Sequence, residues 1–326
     1  MNNDKTIAII GNGFDLAHGY RTRYADFVKN VKSKALDTFC SFCDEKSIDE
    51  WYDFEKNIEA LTMKYFISSM DDSEDYTLNR KKVATLTSVF NKIHSLLQEY
   101  LKNETNRKPM KKQTNIEKYL SPHTFAINFN YTSTTECYTD NVYYVHGSIK
   151  EHDIILGYDY RDEPCLIGYE EMQWSKQLCR EKLEFRRHLK SKYHLKPEDA
   201  DFCKYDSAFA TYQDASNSNR GLDPDTEPKQ YLPEYEFITS YSKNIKRGIL
   251  DKIKDKSIQT AVIIGHGIKA DKELLKTVFS NLTSLKKIVI FCRKEDSQYE
   301  LEHKTDFFKP FCDNIVIEYY QPITRA

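Results

Sequence analysis

The chain has 326 residues, of which 40% are hydrophobic, 13% aromatic and 30% charged, and its formal net charge is -2. This length is sufficient for one large domain or two of ordinary size. The charge balance excludes a nucleic-acid binder that is basic overall, although a local basic face is compatible with it. No stretch approaches the roughly 18 apolar residues of a membrane helix, and the first residues lack a secretory signal. A cytoplasmic protein without membrane contact is therefore expected.

Short apolar runs predict the strands of a parallel sheet. In chain order they cover residues 6–10, 124–127, 142–145, 261–264, 288–291 and 315–317. Continuous apolar runs of this kind are typical of strands that are buried on both faces. The stretches between them are polar and have helical periodicity. The pattern predicts one α/β domain over residues 1–326, with a doubly wound, mostly parallel sheet and large α-helical insertions at about 34–118 and about 160–250.

The eight cysteines do not form a metal-binding pattern. Cys40 and Cys43 form a C-x-x-C pair, but a tetrahedral zinc site would need a second pair or closely spaced histidines, and neither follows. We therefore expect free thiols in a reducing compartment and no metal.

Glycines follow three of the predicted strands, although the chain has only 10 of them. The carboxyl ends of parallel strands line the ligand crevice of open sheets, where glycine lets the backbone approach a phosphate. Tight strand-to-helix turns are the alternative explanation. The usual dinucleotide fingerprint is absent, since Leu16 occupies the position of its third glycine. The glycines in question are Gly11, Gly13, Gly147, Gly265 and Gly267.

The segment IIGNGFDLAHGYRTRYADF at 9–27 resembles the start of the AbiH family of bacteriophage abortive-infection proteins. Further similar segments follow in the expected order: WYDFE at 51–55, INFNYTSTTE at 127–136, VHGSI at 145–149 and VIIGHGIKADKELL at 262–275. AbiH proteins in turn resemble the sirtuin-like (DHS-like) group of NAD-binding folds. The resemblance implies antiphage defence and a pocket for NAD.

The resemblance also implies roles for individual residues. Asn130 and His146 correspond to the pair that flanks the nicotinamide ribose, as catalytic residues. Residues around the strand-end glycines correspond to the nucleotide-binding loops: Gly11, Asn12, Gly13, Phe14, Asp15, Gly147, Gly265, His266, Gly267 and Asp271. Thr132 and Gly267 depart from the usual Asp and Ser of sirtuin-like proteins. The zinc module of sirtuin deacetylases is missing, so protein deacylation is not implied.

The chemistry of these residue types fits cleavage of a nicotinamide–ribose bond, which passes through an oxocarbenium-like state. A histidine such as His146 can activate water or a ribose hydroxyl near neutral pH, and the amide of Asn130 can orient either one. Asp15 can accept a hydrogen bond from a ribose hydroxyl.

Structural alternatives stay open for each of these side chains. Asp15 can cap a helix, Asn130 can stabilise a turn, and His146 can be a core residue, whereas Asp271 is expected to cap the helix that follows it. His266 is expected to line the pocket. The segment 51–55, including Glu55, is expected mainly to be the packed face of an inserted helix.

Residues 180–196 form a basic stretch with interleaved aromatic residues, from Arg180 to Lys196. This pattern is compatible with nucleic-acid contact and also with a solvated helix face. No paired carboxylates at metal-binding spacing indicate a nuclease. The sequence thus predicts an abortive-infection effector that hydrolyses NAD, an NAD glycohydrolase, held latent as a homo-oligomer or by a partner defence protein. The alternative is a nucleotide- or nucleic-acid-binding defence sensor without turnover.

Overall fold

The computed structural model describes residues 5–43, 57, 61, 76–107, 109–151, 153–156, 249–250, 252–254, 257–268 and 271–321. Each of the predicted apolar runs is a strand of one six-stranded sheet, which confirms the α/β class. The strands of this sheet are β1 (Thr6–Ile10), β2 (Phe125–Asn128), β3 (Val142–Tyr144), β6 (Thr260–Ile264), β7 (Lys287–Cys292) and β8 (Ile315–Tyr319). A separate antiparallel pair consists of β4 (Gly147–Ser148) and β5 (Asp153–Ile154).

The order of the strands creates a switch point in the middle of the large sheet. Its order is β3-β2-β1-β6-β7-β8, and all its neighbouring pairs are parallel. The strands β2 and β3, which follow β1 in the chain, lie on one side of it, and the strands β7 and β8, which follow β6, lie on the other side of the sheet. This arrangement is typical of doubly wound sheets. The carboxyl ends of β1 and β6 are level, since Ile10 pairs with Ile264. A ligand crevice is expected at this edge.

Helices precede and follow the strands. They are α1 (Asn12–Ala17), α2 (Tyr24–Asn30), α3 (Lys34–Phe42), α4 (Tyr76–Asn106), α5 (Thr114–Glu117), α6 (Lys272–Ser280) and α7 (Gln298–Phe308), with a 3₁₀ turn at Thr134–Cys137. The start of α7 has a capping box between Ser297 and Glu300, which satisfies amide groups that a helix terminus leaves unpaired.

The core lies on both faces of the sheet. Successive residues of a strand point to opposite faces, so Ile7 and Ile9 belong to one apolar cluster and Ala8 and Ile10 to the other. All of them are fully buried. The first cluster is completed by residues of α6 and α7, and the second by residues of α1 and α5. Burial on both faces is the physical reason for the continuous apolar runs.

The chain divides into two compact units. One comprises Met1–Asn30, Leu97–Ile154 and Lys246–Ala326, and the other Val31–Leu96 and Ile155–Ile245. The second unit therefore consists largely of the segments that the sequence predicts as insertions, while the single-domain organisation stays a prediction. Within the described ranges, no helix combines the length and apolar character needed to cross a membrane. A cytoplasmic location also stays a prediction.

Candidate functional site

The loops that follow β1 and β6 are in direct backbone contact. The amide of Gly11 donates to Ile264 O and that of Gly13 donates to Gly265 O, both at 2.9 Å. A Cβ atom on Gly13 would lie 2.6 Å from the Cα of Gly265, and one on Gly265 would lie 2.2 Å from the amide nitrogen of Phe14. Gly265 also has a φ of 69°. The glycines are therefore required for these loops to meet.

This packing changes the interpretation of the first glycine loop. The amides of Gly11, Gly13 and Phe14 all donate to protein carbonyls, so they are not available to a phosphate. Tight turns and close loop packing thus explain Gly11 and Gly13. Gly267 differs from them, because a Cβ atom there would meet nothing within 4 Å.

A cleft of about 530 Å³ opens beside these loops. Of the residues predicted to bind a nucleotide, Gly13, Gly265, His266 and Gly267 line it. The other residues that line the cleft were not predicted from the sequence: Leu16, Ala17, Arg23, Arg293, Lys294, Glu295, Asp296, Tyr320 and Gln321. For Arg293 and Tyr320 a signal was present, since each comes directly after a strand.

The predicted residues Asn12, Phe14 and Gly147 lie outside the lining of this cleft. The side chain of Asn12 is exposed. Its Nδ2 donates to Thr22 O, and its Oδ1 accepts a hydrogen bond from the Thr22 hydroxyl. The ring of Phe14 is fully buried and packs against His18 and Tyr138, so it is a core residue. Gly147 begins the small antiparallel pair, with a φ of 71°.

Asp15 lies inside α1 and does not cap it, because the N-cap position belongs to Gly11. Its Oδ2 accepts a hydrogen bond of 2.6 Å from the hydroxyl of Thr132, which in turn accepts one from Thr134. Its Oδ1 is buried and accepts no hydrogen bond from the described part of the chain. Burial raises the pKa of Asp15 to about 6, although hydrogen bonding by Thr132, Thr134 and Asn130 acts in the opposite direction.

Asn130 connects the ends of two neighbouring strands. Its side-chain amide donates to Gly11 O at 3.0 Å, and its backbone amide donates to the Oδ1 of Asn128 at 2.9 Å. Only 5% of Asn130 is exposed. Asn130 is thus held at the carboxyl edge of the sheet, although it does not line the cleft.

The described residues contain a set of acidic and imidazole groups that the sequence did not predict as a unit. The Oδ1 of Asp271 lies 3.5 Å from Nε2 of His146, and its Oδ2 lies 3.4 Å from Nε2 of His266. Asp271 occupies the N-cap position of α6 but makes no capping bond with its side chain, so the expected cap is wrong. Phe129 packs edge-on against both imidazole rings.

Electrostatics distinguish Asp271 from Asp15. Burial by itself would raise the pKa of Asp271, but hydrogen bonds and charge interactions with His146 and His266 outweigh it and hold that pKa well below its usual range. Asp271 is therefore a carboxylate at neutral pH. His146, like Asn130, is 5% exposed and lies outside the cleft lining.

Other sequence predictions lie outside the described residues. They are the basic stretch at 180–196, the segment 51–55, and nearly all of the insertion at about 160–250. Within the described ranges, no group of three or more His, Cys, Asp or Glu side chains is arranged to hold a metal ion.

The sheet and the site together define an α/β protein with a candidate site at the strand ends, beside the switch point of a parallel sheet. The sequence model of one family, described as "Bacteriophage abortive infection AbiH", matches residues 7–293. The chain therefore belongs to the AbiH family of bacteriophage abortive-infection proteins. Comparisons with curated proteins and with solved structures gave no match.

Proposed function

We propose that this AbiH protein acts in abortive infection by hydrolysing the bond between nicotinamide and ribose in NAD. The observation that carries the proposal is the pairing of His146 with the buried carboxylate of Asp271 at the switch-point edge of the sheet. Buried histidine–carboxylate pairs are typical of sites where a histidine transfers protons.

The reaction needs one water molecule for each NAD. The water oxygen bonds to the anomeric carbon of the ribose, the N-glycosidic bond breaks, and nicotinamide leaves with the bonding electron pair. The proton that the water loses passes to His146, whose protonated ring is stabilised by the carboxylate of Asp271. The Oδ1 of Asn130 is suited to orienting the water or a ribose hydroxyl, because the amide nitrogen already donates to Gly11 O.

The charges of the cleft support binding of an anionic nucleotide. Arg23, Arg293 and Lys294 line it together with Glu295 and Asp296. Asp296 is engaged with Arg293 and Lys304, at 2.7 Å and 3.1 Å, so its negative charge is largely compensated. The diphosphate of NAD would add two negative charges beside these cations.

The burial of His146 and Asn130 supports a latent enzyme. An NAD hydrolase that was always active would kill its host, and each of these side chains is only 5% exposed. We infer that infection opens the route to them, through a homo-oligomer or a partner defence protein. Closing over the bound substrate would then exclude bulk water and leave only the water molecule that reacts.

Nicotinamide release tests the proposal directly. The purified protein is incubated with NAD, with and without extract of phage-infected cells, and the products are separated by chromatography. Release of nicotinamide is expected in the extract-treated sample. His146→Ala and Asn130→Ala should each abolish this release and the defence phenotype while the circular dichroism spectrum stays unchanged.

Matched controls come from the same unit. His123 and Asn141 are exposed residues away from the site, so His123→Ala and Asn141→Ala should retain activity. Full activity in His146→Ala would refute the proposed mechanism. Binding of NAD by calorimetry without nicotinamide release under any condition would favour the alternative function, a nucleotide sensor without turnover.

A further inference from the structure

The loop after β6 has a strained backbone at Ile268. This residue has a φ of 61°, and among the described residues it is the one residue other than glycine with a positive φ. The left-handed region is unfavourable for a β-branched side chain. The strained conformation accompanies a specific contact: the Ile268 amide donates to Nδ1 of His266 at 2.9 Å.

This contact assigns the hydrogen-bonding roles of the two ring nitrogens of His266. Since Nδ1 accepts a hydrogen bond from a backbone amide, Nε2 is the nitrogen that donates. Nε2 faces the Oδ2 of Asp271 at 3.4 Å. Both nitrogens of His266 are thus engaged with the protein.

Asp271 shares its carboxylate between His266 and His146. Its other oxygen, Oδ1, lies 3.5 Å from Nε2 of His146. Among the described residues, the titratable groups near His146 include Asp271 from the start of α6, His266 across that carboxylate, and Tyr131, whose ring centroid is 6.4 Å from that of His146. Phe129 contacts both imidazoles, with ring centroids at 5.7 Å from His146 and 4.3 Å from His266.

We propose that Asp271 and His266 are positioning residues that set the basicity of His146. Asp271 orients the His146 ring through Nε2 and stabilises its protonated form. His266, whose Nδ1 accepts a hydrogen bond from the Ile268 amide, directs Nε2 towards the same carboxylate and so weakens the effect of that carboxylate on His146. The role in catalysis rests on the proposed NAD hydrolysis, whereas the coupling of the three side chains does not.

The coupling predicts shifts of opposite sign for two substitutions. Asp271→Asn removes the negative charge beside His146 and should lower the pKa of His146 by about 1–3 units. His266→Leu removes a donor from Asp271, leaves more of its charge for His146, and should raise the pKa of His146 by about 0.5–1 unit. His266→Gln keeps a donor at the position of Nε2 and should stay close to the unsubstituted protein.

The experiment is a pH titration of the full-length chain by NMR of the imidazole signals, with the His146 signals assigned from a His146→Ala sample. The exposed His123 serves as an internal reference and should not shift in any variant. Circular dichroism of each variant verifies that it is folded. An unchanged His146 pKa in Asp271→Asn, or a lowered one in His266→Leu, would overturn the proposal.

Kinetics then separate this proposal from the proposed function. If the chain hydrolyses NAD, the lower inflection in the pH profile of kcat/KM should move with the NMR pKa in Asp271→Asn and His266→Leu. A structural role alone would lower kcat without moving that inflection. If no NAD is hydrolysed but the opposite NMR shifts are found, the coupling holds and the hydrolase proposal fails.

Discussion

Replacement of Asp15 by Asn should change how the stability of the protein depends on pH. The pKa of Asp15 is about 6 in the folded protein, against 3.8 for an ordinary aspartate, because the carboxyl is buried in α1. The difference of about 2.2 units corresponds to about 3 kcal/mol at 1.36 kcal/mol per unit. Between pH 3.8 and pH 6 the folded state holds a proton that the unfolded state has lost. Stability from this group is therefore fully present below pH 3.8 and is lost as the pH rises to about 6.

Asn at position 15 cannot titrate, so the comparison isolates this group from all others. The free energy of unfolding of both proteins is measured by urea denaturation with circular dichroism at intervals from pH 4 to pH 8. The unsubstituted protein should lose about 2.4 kcal/mol relative to Asp15→Asn across this range, because the remainder of the ~3 kcal/mol is already lost below pH 4. The part of the difference in unfolding free energy that does not vary with pH gives no information on ionisation, because the new amide also needs hydrogen-bond partners.

The control for this experiment is Asp140→Asn, which removes an exposed carboxylate. The difference in unfolding free energy between Asp140→Asn and the unsubstituted protein should vary much less with pH. If the difference between the unsubstituted protein and Asp15→Asn were constant from pH 4 to pH 8, Asp15 would not have a raised pKa. Thr132→Val should enlarge the effect, since the Thr132 hydroxyl donates to the ionised carboxylate at 2.6 Å.

Three further sets of substitutions test the loops, the cleft and the basic stretch. Gly265→Ala should lower the free energy of unfolding by at least about 2 kcal/mol, because its Cβ would lie 2.2 Å from a backbone nitrogen. Gly267→Ala should leave the free energy of unfolding nearly unchanged in the same denaturation assay, because a Cβ atom there has open space. Lys294→Gln should weaken NAD binding by calorimetry up to about tenfold and reduce its salt dependence, while Glu295→Gln at the same cleft should not weaken it. Charge reversal in the basic stretch should abolish triggered NAD loss in infected cells if a trigger acts there, and an unchanged response would remove that role from Arg186, Arg187 and Lys190.

The candidate site could be predicted from the sequence only in part. Glycines and polar residues directly after apolar runs located the carboxyl edge of the sheet, and Gly13, Gly265, His266 and Gly267 do line one cleft there. The sequence could not show that the amides of Gly11 and Gly13 donate to protein carbonyls, because those carbonyls belong to Ile264 and Gly265 at the end of β6. The contact of Asp271 with His146 joins residues that are more than 120 positions apart, and no spacing rule relates them.

The sequence alone determined the strands and the class of the fold, because burial on both faces requires an uninterrupted apolar run, and in β1 and β6 glycine directly follows that run. The tertiary structure decided the strand order that brings β1 beside β6, and with it the contact between their loops. The tertiary structure also decided the pKa values of the buried aspartates near the site. Asp15 and Asp271 are both buried aspartates, but burial dominates the first pKa and two imidazoles dominate the second. Ionisation depends on neighbours in space, and these come from separate elements of the fold.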